Sequence, residues 1–263
     1  MQANNNVGLV DQLRSDAGQY ISIVDGPDGV RLFHLGDSQP QSAMYLERPL
    51  ETVYPYISTF FVGLLWHPNP TRILLIGLGG GTFPRIFRHY FPNTHIDIVE
   101  YDRGVLLMAK KHMQFEEDSL MKVFISDGRQ FVQDRAHDGT KYDIVYCDAF
   151  SEKDGLPVHM RGEAFQQELK AILSDDNGVL VSNIVASFSG ATIHERIDIF
   201  KSMHELNYYF ASHIKRFNVV LVSGNMNIKR TKEQIVHMAQ QLQIQHQFQS
   251  FDLVETVNCF HEV

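Results

Sequence analysis

From residue 71 onward the chain alternates short, almost unbroken apolar runs with longer amphipathic ones. The apolar runs predict strands at 72–77, 95–100, 121–126, 142–148 and 178–185. The segments between and after them predict helices at 83–91, 103–113, 128–135, 160–173 and 190–206. Strands apolar on both faces belong to a parallel sheet covered by helices on each side. The pattern then changes. Stretches 208–214 and 217–223 are separated only by Lys215-Arg216. So short a link holds no crossover helix, and the two are expected to pair antiparallel. A last amphipathic helix is predicted over 231–245.

The beginning of the chain reads differently. Residues 20–24 alternate, Gly26-Pro27-Asp28-Gly29 turns, and residues 30–35 alternate again, which is a hairpin pattern. Residues 42–46 add a third strand, whereas 1–18 show no regular pattern. An apolar helix is predicted over 51–66, closed by His67-Pro68-Asn69-Pro70. The expected organisation is a small β-unit over 1–50 followed by a main domain over 51–263. Five parallel strands finished by an antiparallel hairpin make this an α/β chain of the class I methyltransferase-like, Rossmann-like kind. A dinucleotide dehydrogenase would continue the parallel pattern.

Composition narrows the function. The chain has 263 residues, 44% of them hydrophobic and 21% charged, enough for one sizeable core. A net charge of -8 and no run of Lys and Arg argue against a nucleic-acid partner. Two cysteines, Cys147 and Cys259, give neither a disulfide framework nor a metal knuckle. The 13 histidines form no metal pattern, and His194-Glu195 lacks a second histidine four residues on. No metal is expected. The polar N-terminus lacks the apolar core of a signal peptide, and residues 56–66 are too few to span a bilayer. The expectation is a reducing cytoplasm without a membrane partner, compatible with a homodimer.

Chemistry concentrates between Arg72 and Asp102: strand, glycine-dense turn, helix, and a second strand ending in acid. The turn Gly77-Leu78-Gly79-Gly80-Gly81 lets backbone approach a ligand where a Cβ would clash. Carboxylates follow three successive strands: Glu100 and Asp102, then Asp127, then Asp148. In an open α/β sheet the carboxyl ends of the strands face one crevice. The expected convergence sets Glu100 on ribose hydroxyls, Asp127 on the adenine amine and Asp148 beside the reacting centre. Each acid has an alternative use as a cap or turn residue, Asp102 above all. His159, on the loop after Asp148, is the histidine expected nearest the crevice, and a surface position at a helix start is its alternative.

These residues resemble the spermidine synthase family, the polyamine aminopropyltransferases. The likeness rests on the β-hairpin start, His67-Pro68-Asn69-Pro70, the glycine turn followed by Arg85, Val99-Glu100-Tyr101-Asp102, Asp127-Gly128, and Tyr142-Asp143 leading to Asp148. It implies S-adenosylmethionine or its decarboxylated form as co-substrate, with Gly128 and Gln41 joining the turn glycines and acids that bind it. The implied reaction is attack by a small amine on the methylene next to a sulfonium, expelling 5′-methylthioadenosine. Asp148 aligns with the acid that orients and deprotonates the amine. Departures cluster on the amine side. The family's turn carries an aspartate where Gly80 stands, and Ser151 replaces a second one. Its Tyr-Gln reads Tyr20-Ile21, and its Tyr-His-Glu reads Tyr54-Pro55-Tyr56. The loop from Asp148 through Leu156-Pro157-Val158-His159 is similar to divergent spermidine synthase-like members. A methyltransferase on the same fold and a non-catalytic nucleoside-binding paralogue remain as alternatives.

Overall fold

The computed structural model describes residues 8–36, 39–149, 156–185, 193–211 and 218–262. Four antiparallel strands open it, β1 (Gly8–Arg14), β2 (Tyr20–Asp25), β3 (Val30–Leu35) and β4 (Ser42–Tyr45), paired in chain order. Strand β1 lies in the stretch expected to be irregular. Most of its residues are exposed, and its register shifts between Leu9 and Asp11, so no alternation marks it in the sequence. The inward faces of β2 and β3 bury Ile21, Ile23 and Phe33.

Helix α1 (Pro55–Phe60) begins at proline, which removes an N–H that a helix start leaves unpaired. Residues Phe61–Leu65 tighten into a 3₁₀ turn, so the apolar segment predicted as one helix over 51–66 is shorter and has two parts. Gly63 lies where an added Cβ would come within 2.9 Å of Val181.

The main sheet follows. Its parallel strands are β5 (Arg72–Ile76), β6 (His95–Glu100), β7 (Met121–Ile125), β8 (Ile144–Cys147) and β9 (Val179–Val185). Helices α2 (Thr82–Tyr90), α3 (Arg103–His112), α4 (Gly128–Asp138), α5 (Glu163–Ile172) and α6 (Ile193–Met203) alternate with them. The strand predicted over 142–148 is shorter, because Tyr142 makes only a single bridge to Leu173. Strands β10 (Tyr208–Ala211) and β11 (Asn218–Gly224) pair antiparallel, and the residues between them lie outside the described set. After α7 (Lys232–His246) come two elements that the sequence pattern did not mark, α8 (Leu253–Val257) and β12 (Phe260–Glu262). The order is β12-β10-β11-β9-β8-β5-β6-β7.

Successive residues of β5 point into two different cores. Ile73 and Leu75 join Phe60, Phe83 and Phe87 on one face, whereas Leu74 and Ile76 join Phe131, Phe165 and Leu169 on the other. The first core also takes in Ile21 and Phe33, so the small sheet and the main sheet share apolar packing. His67, of the His-Pro-Asn-Pro element, lies 3.5 Å from Asp143. Asp143 also accepts the N–H groups of Thr71 at 2.7 Å and Arg72 at 3.1 Å. The element thus ties the amino ends of β5 and β8, opposite the crevice. Among the described residues no helix is long and apolar enough to cross a membrane.

Candidate active site

The chain leaves β5 toward β6 and later passes β8 back to the other side of β5, so the strand order reverses there. That reversal opens a crevice at the carboxyl ends of β5 and β8. The glycine turn fills its floor. Gly77 has φ 98°, and a Cβ on it would stand 2.7 Å from the Asp148 carbonyl oxygen. Gly80 has ordinary φ, yet its Cβ would stand 2.7 Å from Ser42 Cβ. The Gly80 N–H donates to Ser42 Oγ at 2.9 Å. Gly79 also faces Ser42, and Gly81 abuts the Phe115 ring. The turn must be glycine because its own neighbours press on it, β4 included, whether or not ligand is present. Arg85, one turn into α2, donates to the carbonyls of Met113 and of Pro49, the latter at 2.7 Å. Burial lowers its pKa to about 10.

Glu100 ends β6 directly beside the turn. Its Oε2 accepts the Leu78 N–H and its Oε1 the Asp102 N–H, both at 2.9 Å. Burial raises its pKa, while these amides pull it down. The fixed carboxylate keeps acceptor capacity for a diol. Asp102 behaves otherwise. It is buried, and its Oδ1 caps α3 by accepting the Gly104 N–H at 2.8 Å. Its Oδ2 has no hydrogen-bond partner among the described residues.

Asp127 caps α4, accepting the N–H groups of Arg129 and Gln130 at 3.0 Å through Oδ1. Its Oδ2 lies 2.8 Å from His159 Nε2. Gly128 packs beneath, where a Cβ would come within 2.8 Å of Ile76. Tyr101 is 68% exposed and Ile125 37%, and Ile125 is paired to Glu100 across the β6–β7 ladder. Both side chains are thus partly open to solvent at this end of β6 and β7. Sequence reading gave neither of them a role, because neither residue type announces chemistry.

Asp148 follows β8. Burial raises its carboxyl pKa to about 7, against a lowering contact in which Asn183 Nδ2 donates to Oδ1 at 2.8 Å. Asn183 Oδ1 is buried with no partner among the described residues. Asn183 was not anticipated, although its position late in β9 follows the same strand-end rule. Tyr56 faces Asp148 from α1. Its hydroxyl donates to the Gln41 carbonyl at 3.2 Å, and burial, then the Asp148 charge, raises its pKa. The side chain of Gln41 turns into its own loop, accepting the Leu35 N–H at 2.6 Å and donating to the Gln39 carbonyl at 2.5 Å. Ser151 lies outside the described residues. Glu100, Asp127 with Gly128, and Asp148 thus end or follow the strands β6, β7 and β8, on the sheet edge where the glycine turn lies. Asp102 and Gln41 hold nearby backbone.

This strand order, with β11 antiparallel between β9 and β10 and a glycine-floored crevice, defines a class I methyltransferase-like domain. The fold recurs in human Methyltransferase-like protein 13 in complex with SAH, with TM-score 0.66, 24% identity, and 74% of this chain and 93% of that one covered. It recurs in a spermidine synthase in complex with the transition state analogue AdoDATO, with TM-score 0.67, 19% identity, and 83% and 74% covered. The spermine/spermidine synthase domain matches residues 59–214, and the chain belongs to that family. It is similar to a polyamine aminopropyltransferase of Vibrio vulnificus, 36% identical over 142 residues, 54% of this chain and 46% of that protein. The chain spans about half the length of the curated relatives it matches.

Proposed function

We propose that the chain is a transferase that binds S-adenosylmethionine or its decarboxylated form and passes an aminopropyl group to a small amine. The turn at 77–81 cradles the nucleoside, Glu100 accepts from the ribose hydroxyls, and Asp127 accepts from the adenine amine. Asp148 orients the acceptor and takes its proton. The amine attacks the methylene beside the sulfonium, the carbon–sulfur bond breaks, and its electron pair leaves on methylthioadenosine. A sulfonium is already a good leaving group, so alignment and an unprotonated amine are what the protein must supply.

The observation that carries this reading is Asp148: a carboxyl poised at about 7, at the strand end next to the glycine turn. A base is most useful when its pKa lies near the working pH. The family relatives named aminopropyltransferase and the solved spermidine synthase support the same reading.

A second reading, methyl transfer from intact S-adenosylmethionine, is favoured by Gly80. Ser42 fills the space where a side chain at 80 would stand, so the turn presents a hydroxyl and no carboxylate. A thermal-shift comparison of S-adenosylmethionine, its decarboxylated form and methylthioadenosine tests the site, since stabilisation follows ln(1 + [L]/Kd). Product mass then separates aminopropyl from methyl transfer. No shift with any of the three would remove both readings.

A further inference from the structure

His159 has no part in the reaction as proposed, yet it is held at two points. Its ring nitrogen Nε2 lies 2.8 Å from Asp127 Oδ2. An ionised carboxylate only accepts, so Nε2 carries the proton and donates. Its carbonyl accepts from Arg129 Nη1 at 2.7 Å. Arg129 is itself fixed by two bonds of 2.7 Å to Glu168 on α5. Two helices therefore anchor the backbone from which the imidazole reaches the carboxylate.

The consequence falls on Asp127. Its Oδ1 is taken up by the two amides of the α4 cap. The terminal torsion of an aspartate is broad and roughly two-fold, so a cap alone leaves the second oxygen loosely aimed. The His159 contact removes that freedom and leaves an acceptor direction on Oδ2. We infer that His159 is a positioning residue for nucleoside recognition, aiming Asp127 Oδ2 at the exocyclic amine of adenine. This rests on the role given to Asp127 in the proposed function. It also makes the base selective. A purine with a carbonyl in place of the amine presents an acceptor to an acceptor, and gains nothing from a well-aimed Oδ2.

The side chain of His159 is 48% exposed, so its replacement leaves the core intact. Calorimetry on the full chain with 5′-methylthioadenosine and 5′-methylthioinosine provides the test. His159→Ala should weaken methylthioadenosine about tenfold, the net worth of roughly one hydrogen bond. Methylthioinosine should change by less than about twofold, since it makes no such bond. His159→Gln, whose amide can still donate to Oδ2, should recover most of the loss. In an Asp127→Ala background, His159→Ala should add nothing. An equal loss for both nucleosides, or a loss that persists without Asp127, would overturn the inference. So would unchanged methylthioadenosine affinity in His159→Ala. Failure of the unsubstituted chain to bind methylthioadenosine overturns the proposed function and this inference together.

Discussion

Asp148 and Glu100 are both strand-end acids, but their surroundings differ. Two backbone amides pin Glu100, which suits a fixed acceptor. Glu100→Gln keeps the shape and loses the charge. It should weaken methylthioadenosine by on the order of 1.5–3 kcal/mol, the range for a hydrogen bond to a charged group, read by calorimetry. Among the described residues Asp148 has the Asn183 amide to offset burial. Its folded pKa of about 7 stands above the roughly 3.9 of an unfolded aspartate. Between those values the folded chain keeps a proton that the unfolded chain has released. Stability therefore falls as pH rises from about 4 to about 7. Asp148→Asn should flatten that slope by on the order of 2–4 kcal/mol in thermal unfolding. In the proposed reaction catalysis runs the opposite way, because Asp148 must be ionised to act as the base. Turnover should fall as pH drops through about 7 and be lost in Asp148→Asn. A profile flat down to pH of about 5 would place the base elsewhere.

At the scale of elements, the glycine turn and β4 are one packed unit. Gly80→Ala puts a methyl group 2.7 Å from Ser42 Cβ, and backbone φ offers no objection. The strain should lower stability by about 1–3 kcal/mol. Ser42→Gly in the same chain removes the clashing atom, so the double variant should be more stable than Gly80→Ala alone, a coupling that denaturant unfolding measures. Asp102→Ala should cost about 1 kcal/mol through loss of the α3 cap, with Asp102→Ser retaining most of it. The main sheet was legible in the sequence because parallel strands are apolar throughout and β6 stops at a charged residue. The hairpin β10–β11 was legible from a link too short for a helix. Strand β1 was hidden because an exposed, bulged edge strand has no buried face to alternate with. The placement of Glu100, Asp127 and Asp148 at the ends of successive strands was legible because an acid closes or follows each apolar run. The contacts of Ser42 with Gly80, Tyr56 with Gln41 and Asn183 with Asp148 were not, because each joins segments apart in sequence.

At the scale of the whole molecule, the small sheet is bonded to the glycine turn and the start of α2. Ser42 bonds Gly80, Thr82 Oγ1 donates to the Ala43 carbonyl at 3.3 Å, and Arg85 reaches the Pro49 carbonyl. The proposed acceptor site beside the turn thus draws on Ser42 of β4, Tyr56 of α1, Asp148 and Asn183. Its charge decides what fits. Among the described residues the carboxyl beside Asn183 and Tyr56 is Asp148, half protonated near neutral pH because burial raises its pKa against the lowering Asn183 contact. A diamine such as putrescine carries two positive charges that must leave water, and each needs an acid to replace its hydration. The net charge of -8 draws cations toward the surface, yet steering raises encounter rates without stabilising a second ammonium inside. Each ion contact missing in a desolvated pocket costs on the order of 2–5 kcal/mol. Putrescine should therefore be a poor acceptor, and a monoamine should be turned over faster. A product assay with decarboxylated S-adenosylmethionine and a panel of amines decides it. Putrescine turnover near the enzyme median of roughly 10 per second would show that groups outside the described residues complete a dication site.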